Sequence, residues 1–313
     1  MSSDPPIPAG QTEGRAGHAR MHLLMLLVTV CWASNIIAGK QALTGFTPLA
    51  LAQLRVSGAA IIFLVWFLAG GRLRRLQLSR RKWVFLLAMA AFGIALNQLA
   101  FIGGMARSTV AHTGLIVALG PVMVLMIAVV IRLEVLTAWK SAGMLIAFAG
   151  VGILTAEKAG PATGGHWGGD LILLVGTLVF AIYTILVKEV ANHFDTLSLN
   201  TLIFSLGAIM MLPFCAHELV ATRWTHLNLE AWWGLGFLVV FGSVISYLLF
   251  AYVMTELAAS RAAAFNYLQP VIASSLGIWV LSERLTSKVL MGGALILVGV
   301  YLTEREQGEE SER

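Results

Sequence analysis

Seven stretches of this chain run without a charged side chain for a length that suits a lipid bilayer: 23–39, 83–106, 108–131, 171–187, 196–216, 231–255 and 262–282, with shorter runs at 141–156 and 289–303. A hydrocarbon core about 30 Å thick takes about 20 mostly apolar helical residues to cross. Every backbone N–H and C=O inside that core must be bonded within the protein, which leaves helices or a closed barrel. Residues 41–71 qualify as well, interrupted only by Arg55. The runs amount to ten spans, so the expected fold class is all-α, a polytopic membrane protein with ten transmembrane helices. Bulk composition agrees: 58% of residues are hydrophobic and 12% charged, against about 25% charged in soluble domains.

The basic residues suggest an orientation. Between the second and third spans lies GGRLRRLQLSRRK, with six basic residues and no acid, and Lys and Arg concentrate in the short cytoplasmic loops of membrane proteins. With that loop inside, ten spans place both termini in the cytoplasm, the expected site being the inner membrane. Fourteen of the 21 basic residues then fall inside and six outside, Arg55 being the remaining one. The formal charge of +5 is accounted for by this placement, not by a nucleic-acid partner. Residues 1–20, rich in Pro, Gly and polar side chains, read as a disordered cytoplasmic tail without the apolar core of a signal peptide. Residues 304–313 form a second tail. Cys31 and Cys215 lie inside apolar runs and read as small buried residues, with no disulfide or metal role.

The chain also repeats itself. EVLTAWKSAGMLIAFAGVGIL, from Glu134, nearly recurs as ERLTSKVLMGGALILVGVYL, from Glu283. A shift of 149 places Trp83 on Trp232, Gly93 on Gly242, Phe101 on Phe250, Met105 on Met254, Pro121 on Pro270 and Gly150 on Gly299. A shift of 148 places Lys40 on Lys188 and Ser57 on Ser205. Residues 21–156 and 169–303 are therefore expected to be two copies of one five-span unit, joined by the linker 157–168. Five is odd, so the second copy enters the membrane upside down. Inverted repeats recur in carriers, where they exchange conformations around a midplane site.

Several segments carry a family resemblance: CWASNIIAGK (31–40), TPLALAQLRVSGAA (47–60), the run from Asn97 through GLIVALGPVMVLMIAVVIRLEVLT (114–137), and LQPVIASSLGIWVLSERLTSKVLMGGALILVGV (268–300). In these the chain resembles the EamA-like branch of the drug/metabolite transporter superfamily across essentially 21–303. The resemblance implies a ten-span carrier of small organic metabolites, often an exporter of amino acids or related compounds. The first copy departs from the family pattern in RLEVLT, where a Gly before Glu134 and an Arg after it are usual.

Polar side chains inside spans are the informative ones, because an unsatisfied polar group in lipid is costly and faces a cavity or a partner. Trp32 and Asn35 share one helix face, and their counterparts Phe180 and Tyr183 repeat the aromatic-plus-polar arrangement. Asn97 and Gln98 match Ser246 and Tyr247. Asn266 and Gln269 precede Pro270, which lets a helix bend, with Pro121 as its weaker twin. The cavity candidates are thus Trp32, Asn35, Asn97, Gln98, Tyr183, Ser246, Tyr247, Asn266 and Gln269, although interhelical bonding or packing accounts for each about as well. Arg55, Pro121, Pro270, Glu134 and Glu283 are assigned gating or structural roles. Glu134 and Glu283 end the fourth and ninth helices, with Thr137 and Thr286 capping the next, and the Gly143/Gly150 and Gly292/Gly299 pairs offer flat faces for close helix approach.

No Asp or Glu is expected deep in a span: Asp170, in Gly-Gly-Asp, falls at an interface, and His112, near a helix start, is expected in the headgroup region. Exchange of cationic drugs for protons needs an intramembrane acid, so uniport or substrate exchange fits better. The sequence has no His-Glu-x-x-His, Gly-x-Ser-x-Gly or nucleotide-binding glycine loop; no enzymatic activity, cofactor or metal is expected. The expected partners are a small-molecule substrate and the lipid bilayer, in a monomer or homodimer. A channel or a non-transporting scaffold subunit is the alternative.

Overall fold

The computed structural model describes residues 9–71, 79–132, 136–155, 167–190, 193–257, 262, 265–282 and 285–310. They form α1 (Ala9–Ala42), α2 (Pro48–Ala69), α3 (Arg80–Met105), α4 (Val110–Val130), α5 (Ala138–Thr155), α6 (Trp167–Val190), α7 (Thr196–Ala221), α8 (Leu229–Glu256), α9 (Leu268–Leu281) and α10 (Ser287–Glu310), with no strand among the described residues. Seven of these helices, α1–α4 and α6–α8, are long and apolar enough to cross a membrane, while α5, α9 and α10 are apolar over shorter stretches. The chain is a polytopic helical membrane protein.

Helix starts follow local chemistry. Thr47 caps α2 through Ala50 N, with Pro48 in the first turn, and Asp195 caps α7 through Ser198 N. Ser79 caps α3 and Asn228 caps α8. As expected, Thr137 accepts from Lys140 N at 3.2 Å and Thr286 from Val289 N at 3.2 Å. Each is a side-chain oxygen satisfying one of the donors that a helix start leaves open. The three pairs stand 148 or 149 residues apart, so the two halves punctuate their helices at equivalent places.

Some expected boundaries move. Residues 9–20, expected as a disordered tail, continue α1 upstream; extending a nucleated helix avoids the nucleation cost, and Ala, Gln, Glu and Arg there oppose the unfavourable Gly10, Gly14 and Gly17. Residues 167 and 168 belong to α6, and α10 runs on to Glu310. Residues 1–8, 157–166 of the linker, Glu134, Glu283 and 311–313 lie outside the described residues. The break at Pro121 is stronger than its twin status suggested: α4 is interrupted at Ala118 and Leu119 and restarts at Gly120. Pro121 and Pro270 both occupy the first turn of the helical segment that follows, where a missing N–H forfeits no intrahelical bond.

Packing is mostly between halves. Helix α1 lies on α8 and α9, α6 on α3 and α4, α2 on α7, and α5 on α10. Large apolar side chains such as Ile61, Val65, Leu145, Ile209, Phe214 and Trp279 are exposed on the outside of the bundle. Such exposure is untenable in water over so large an area but natural against acyl chains.

The α5–α10 contact realises the expected glycine faces. A Cβ at Gly150 would lie 2.6 Å from the Gly292 carbonyl, and one at Gly299 would lie 2.4 Å from Ala147 N. Backbone has no rotamer with which to move aside. Gly299→Ala is therefore expected to force the helices apart and lower the melting temperature of the purified protein, at a cost of about 1–3 kcal/mol for overpacking. Gly152→Ala, with nothing within 4 Å of its Cβ, is the control that does not lower melting, since Ala is the better helix former.

Candidate functional site

Midway along, α3 and α8 each widen into a π-turn, over Ala90–Leu96 and Val240–Ile245. A π-turn opens the regular bonding ladder and is frequent at functional sites. Each holds a glycine on which a side chain of the other half rests. A Cβ at Gly242 would be 2.0 Å from Asn35 Oδ1, and one at Gly93 would be 2.2 Å from Tyr183 Cδ2. Asn35 and Tyr183 are themselves repeat-related. Side chains from other helices also bond the glycine carbonyls: Arg55 Nη2 donates to Gly242 O at 3.0 Å, and Tyr247 Oη donates to Gly93 O at 3.4 Å.

Beside these turns lies a cavity of about 650 Å³ of empty space, counted to its open side. Seven of the nine candidates line it: Trp32, Asn35, Asn97, Gln98, Tyr247, Asn266 and Gln269. Repeat-related residues meet there. Gln98 Nε2 donates to Tyr247 Oη at 3.0 Å, and Trp32 meets Phe180 edge-on with centroids 5.6 Å apart. Asn97 Nδ2 donates to Gly176 O at 3.2 Å, and Gln269 Nε2 to Asn266 Oδ1 at 2.8 Å.

The other two candidates lie behind the lining. Tyr183 is fully buried, packed on Gly93 and tilted against Phe180 and Tyr247. Ser246 donates to Phe241 O, a bond along its own helix. Conversely, Arg55, assigned a gating or structural role, lines the cavity, together with Phe101, Phe180 and Thr177. Phe101 and Thr177 could have been found from helical spacing, since they stand four residues after Asn97 and three before Phe180.

A second polar cluster departs from expectation. His112, expected among headgroups, is 1% exposed, and its Nδ1 lies 2.9 Å from Asp170 Oδ2; Asp170 is itself completely buried. The Ser108 hydroxyl donates to the same carboxylate, and Lys40 Nζ donates to the Ser108 carbonyl. Burial here comes from close approach of the start of α6 to the turn between α3 and α4: a Cβ at Gly169 would be 2.7 Å from the Arg107 backbone. The other half has the same lysine contact, Lys188 Nζ donating to Met254 O at 3.0 Å and Leu257 O at 2.9 Å. Both lysines place a cation on carbonyls at a helix C-terminus, where the helix dipole favours one. The signal for this cluster was available, because Lys40, Ser108, His112 and Asp170 all fall at span ends on the same side under the positive-inside assignment.

Fold and site together define a multi-helix membrane protein with a largely apolar, aromatic-lined cavity, carrying a few polar side chains, between two halves. The EamA-like transporter family model matches the chain twice, over residues 19–156 and 167–305. The chain belongs to the EamA-like transporter family and is a membrane transporter of that type. An uncharacterized transporter of Archaeoglobus fulgidus is 27% identical over 91% of this chain and 99% of its own. An uncharacterized transporter of Synechocystis is 26% identical over 92% and 91%, and the chloroplastic WAT1-related protein of Arabidopsis thaliana is 23% identical over 89% and 68%. One crystal structure superposes with a TM-score of 0.64 at 16% identity, covering 91% of this chain and 97% of that one, a likeness of fold.

Proposed function

We propose that this transporter is a carrier of small organic metabolites, amino acids or related compounds, exporting them by alternating access. Ten helices cross the inner membrane as two inverted five-helix halves, with both termini in the cytoplasm and the substrate held near the midplane. The observation that carries this reading is the meeting of repeat-related residues at one cavity, Trp32 with Phe180 and Gln98 with Tyr247. A two-fold axis in the membrane plane brings equivalent residues together in that way, and such axes pass through the binding sites of inverted-repeat carriers.

The test is flux in proteoliposomes. A carrier gives saturable uptake that is stimulated by substrate on the opposite side; flux linear in concentration means a pore, and no flux of any small molecule means a scaffold. Cysteine labels at both ends of the chain test the topology, since labelling from opposite sides of the membrane removes the inverted arrangement. Asn97→Ala is expected to cut transport about five- to thirtyfold with the amount of protein in the membrane unchanged, the loss of one buried hydrogen bond to a polar partner amounting to about 1–2 kcal/mol. Normal transport in that variant would take Asn97 out of the site.

A further inference from the structure

Within the cavity, Arg55 has an arrangement that the architectural role leaves unexplained. The residue is 2% exposed, a side chain of α2 bound to the π-turn of α8: Nε donates to Ser243 Oγ at 2.9 Å and Nη2 to Gly242 O at 3.0 Å. Nη1 has no partner. The two bonds use one edge of the planar fork. The end of the fork keeps both Nη1 hydrogens and one on Nη2, the pair of donors that a carboxylate takes side by side. No Asp or Glu lines the cavity among the described residues, so this cation is balanced by dipoles and by the face of Phe101, whose ring centroid lies 5.9 Å from Cζ. A charge inside a membrane protein is costly and is found paired or facing a substrate path.

The neighbours complete a pattern. Asn35 Oδ1 and Gln98 Oε1 are buried acceptors without a partner, and both residues line the same cavity. Asn35 rests on Gly242, the residue whose carbonyl holds Arg55, so the two side chains converge on one glycine. Around them are Trp32, Phe101, Phe180 and Tyr247.

We infer that Arg55 anchors the carboxylate of the transported molecule through its free end, while the amide oxygens of Asn35 and Gln98 receive an amino group next to it and the aromatic rings hold an apolar body. The substrate class is an amphipathic α-amino acid or a close analogue. This rests on the cavity being the transport site. Substrate binding satisfies three buried polar groups at once, so the carboxylate contributes to selection as well as to affinity: an amide or ester in its place leaves the cation unmatched.

The experiment uses the purified full-length chain and six probes, L-leucine, L-phenylalanine and L-tryptophan with the three corresponding amides, read by equilibrium binding. At least one acid is expected to bind at least about tenfold tighter than its amide, the increment of a charge-assisted bidentate pair. Arg55→Gln is expected to abolish that preference by weakening the acid and leaving the amide unchanged. Arg55→Lys, which keeps the charge without the fork, falls between. The comparison of acid with amide in the unmodified protein needs no variant, so poor folding of Arg55→Gln does not blunt it. Equal binding of acids and amides, binding of amides alone, binding of no probe at all, or an acid preference that survives Arg55→Gln overturns the assignment. Saturable, trans-stimulated flux of some neutral or cationic compound in the same preparations would then leave the carrier reading standing, and its absence for every compound would remove that reading separately.

Discussion

Asp170→Ala is expected to lower the stability of the purified protein by about 2–6 kcal/mol, the cost of leaving two buried hydrogen-bonding groups unmatched at about 1–3 kcal/mol each. The substitution strips the acceptor from the Ser108 hydroxyl and from His112 Nδ1, both sealed from solvent by the start of α6. An unmet buried donor carries its full desolvation cost. Asp170→Asn, which keeps one acceptor oxygen in place, should lose less. A cycle with His112→Ala separates the pair from its surroundings: if His112 and Asp170 act together, the double variant melts well above the sum of the two single losses. Melting of Asp170→Ala within a degree of the parent would show that the pair contributes nothing net. The cluster also distinguishes the two halves. Lys40 and Lys188 make the same kind of contact, but the position equivalent to Asp170 is His22, so the repeat does not reproduce the pair.

The second large effect is expected at Gly93. A methyl group there would lie 2.2 Å from Cδ2, 2.6 Å from Cγ and 2.7 Å from Cε2 of the Tyr183 ring. The ring is rigid, completely buried and stacked against Phe250 at 6.4 Å, so it has nowhere to turn. Gly93→Ala should therefore cost about 1–3 kcal/mol or more as overpacking, and should abolish transport by pushing Tyr183 and the adjoining Tyr247 into the cavity. Tyr183→Ala in the same background opens the space again, and recovery of thermal stability beyond the additive value identifies the clash as the cause. The repeat-related Gly242→Ala is expected to be milder. Its methyl would meet Asn35 Oδ1 at 2.0 Å, but that is the end of a side chain that can rotate. Equal losses in the two variants would contradict this account.

Much of the architecture was legible in the linear chain, because a bilayer demands long uncharged helices and leaves little else. The runs at 83–106, 108–131 and 231–255 became α3, α4 and α8 almost residue for residue. Thr137 and Thr286 cap the helices expected of them, and Gly150 and Gly299 allow the close contact that their spacing suggested. Pairing by position identified residues that meet in space, Gln98 with Tyr247 and Trp32 with Phe180.

Depth and direction were not legible. Tyr183 and Ser246 share helices with cavity residues, yet one faces a glycine and the other bonds its own backbone. Arg55 could be read as architecture or as a cavity charge; bonds on one edge of its fork with a free end on the other make it both. His112 and Asp170, which a hydropathy profile leaves in the headgroups, are buried by a helix that starts 55 residues after one of them. By itself the sequence determined which segments enter lipid and which of them are equivalent, since hydropathy and repetition are properties of a segment. Only the tertiary structure decided which polar atoms find partners inside the protein and which stay free, because a hydrogen bond between helices depends on their approach to within about 3 Å, a distance that no single segment encodes.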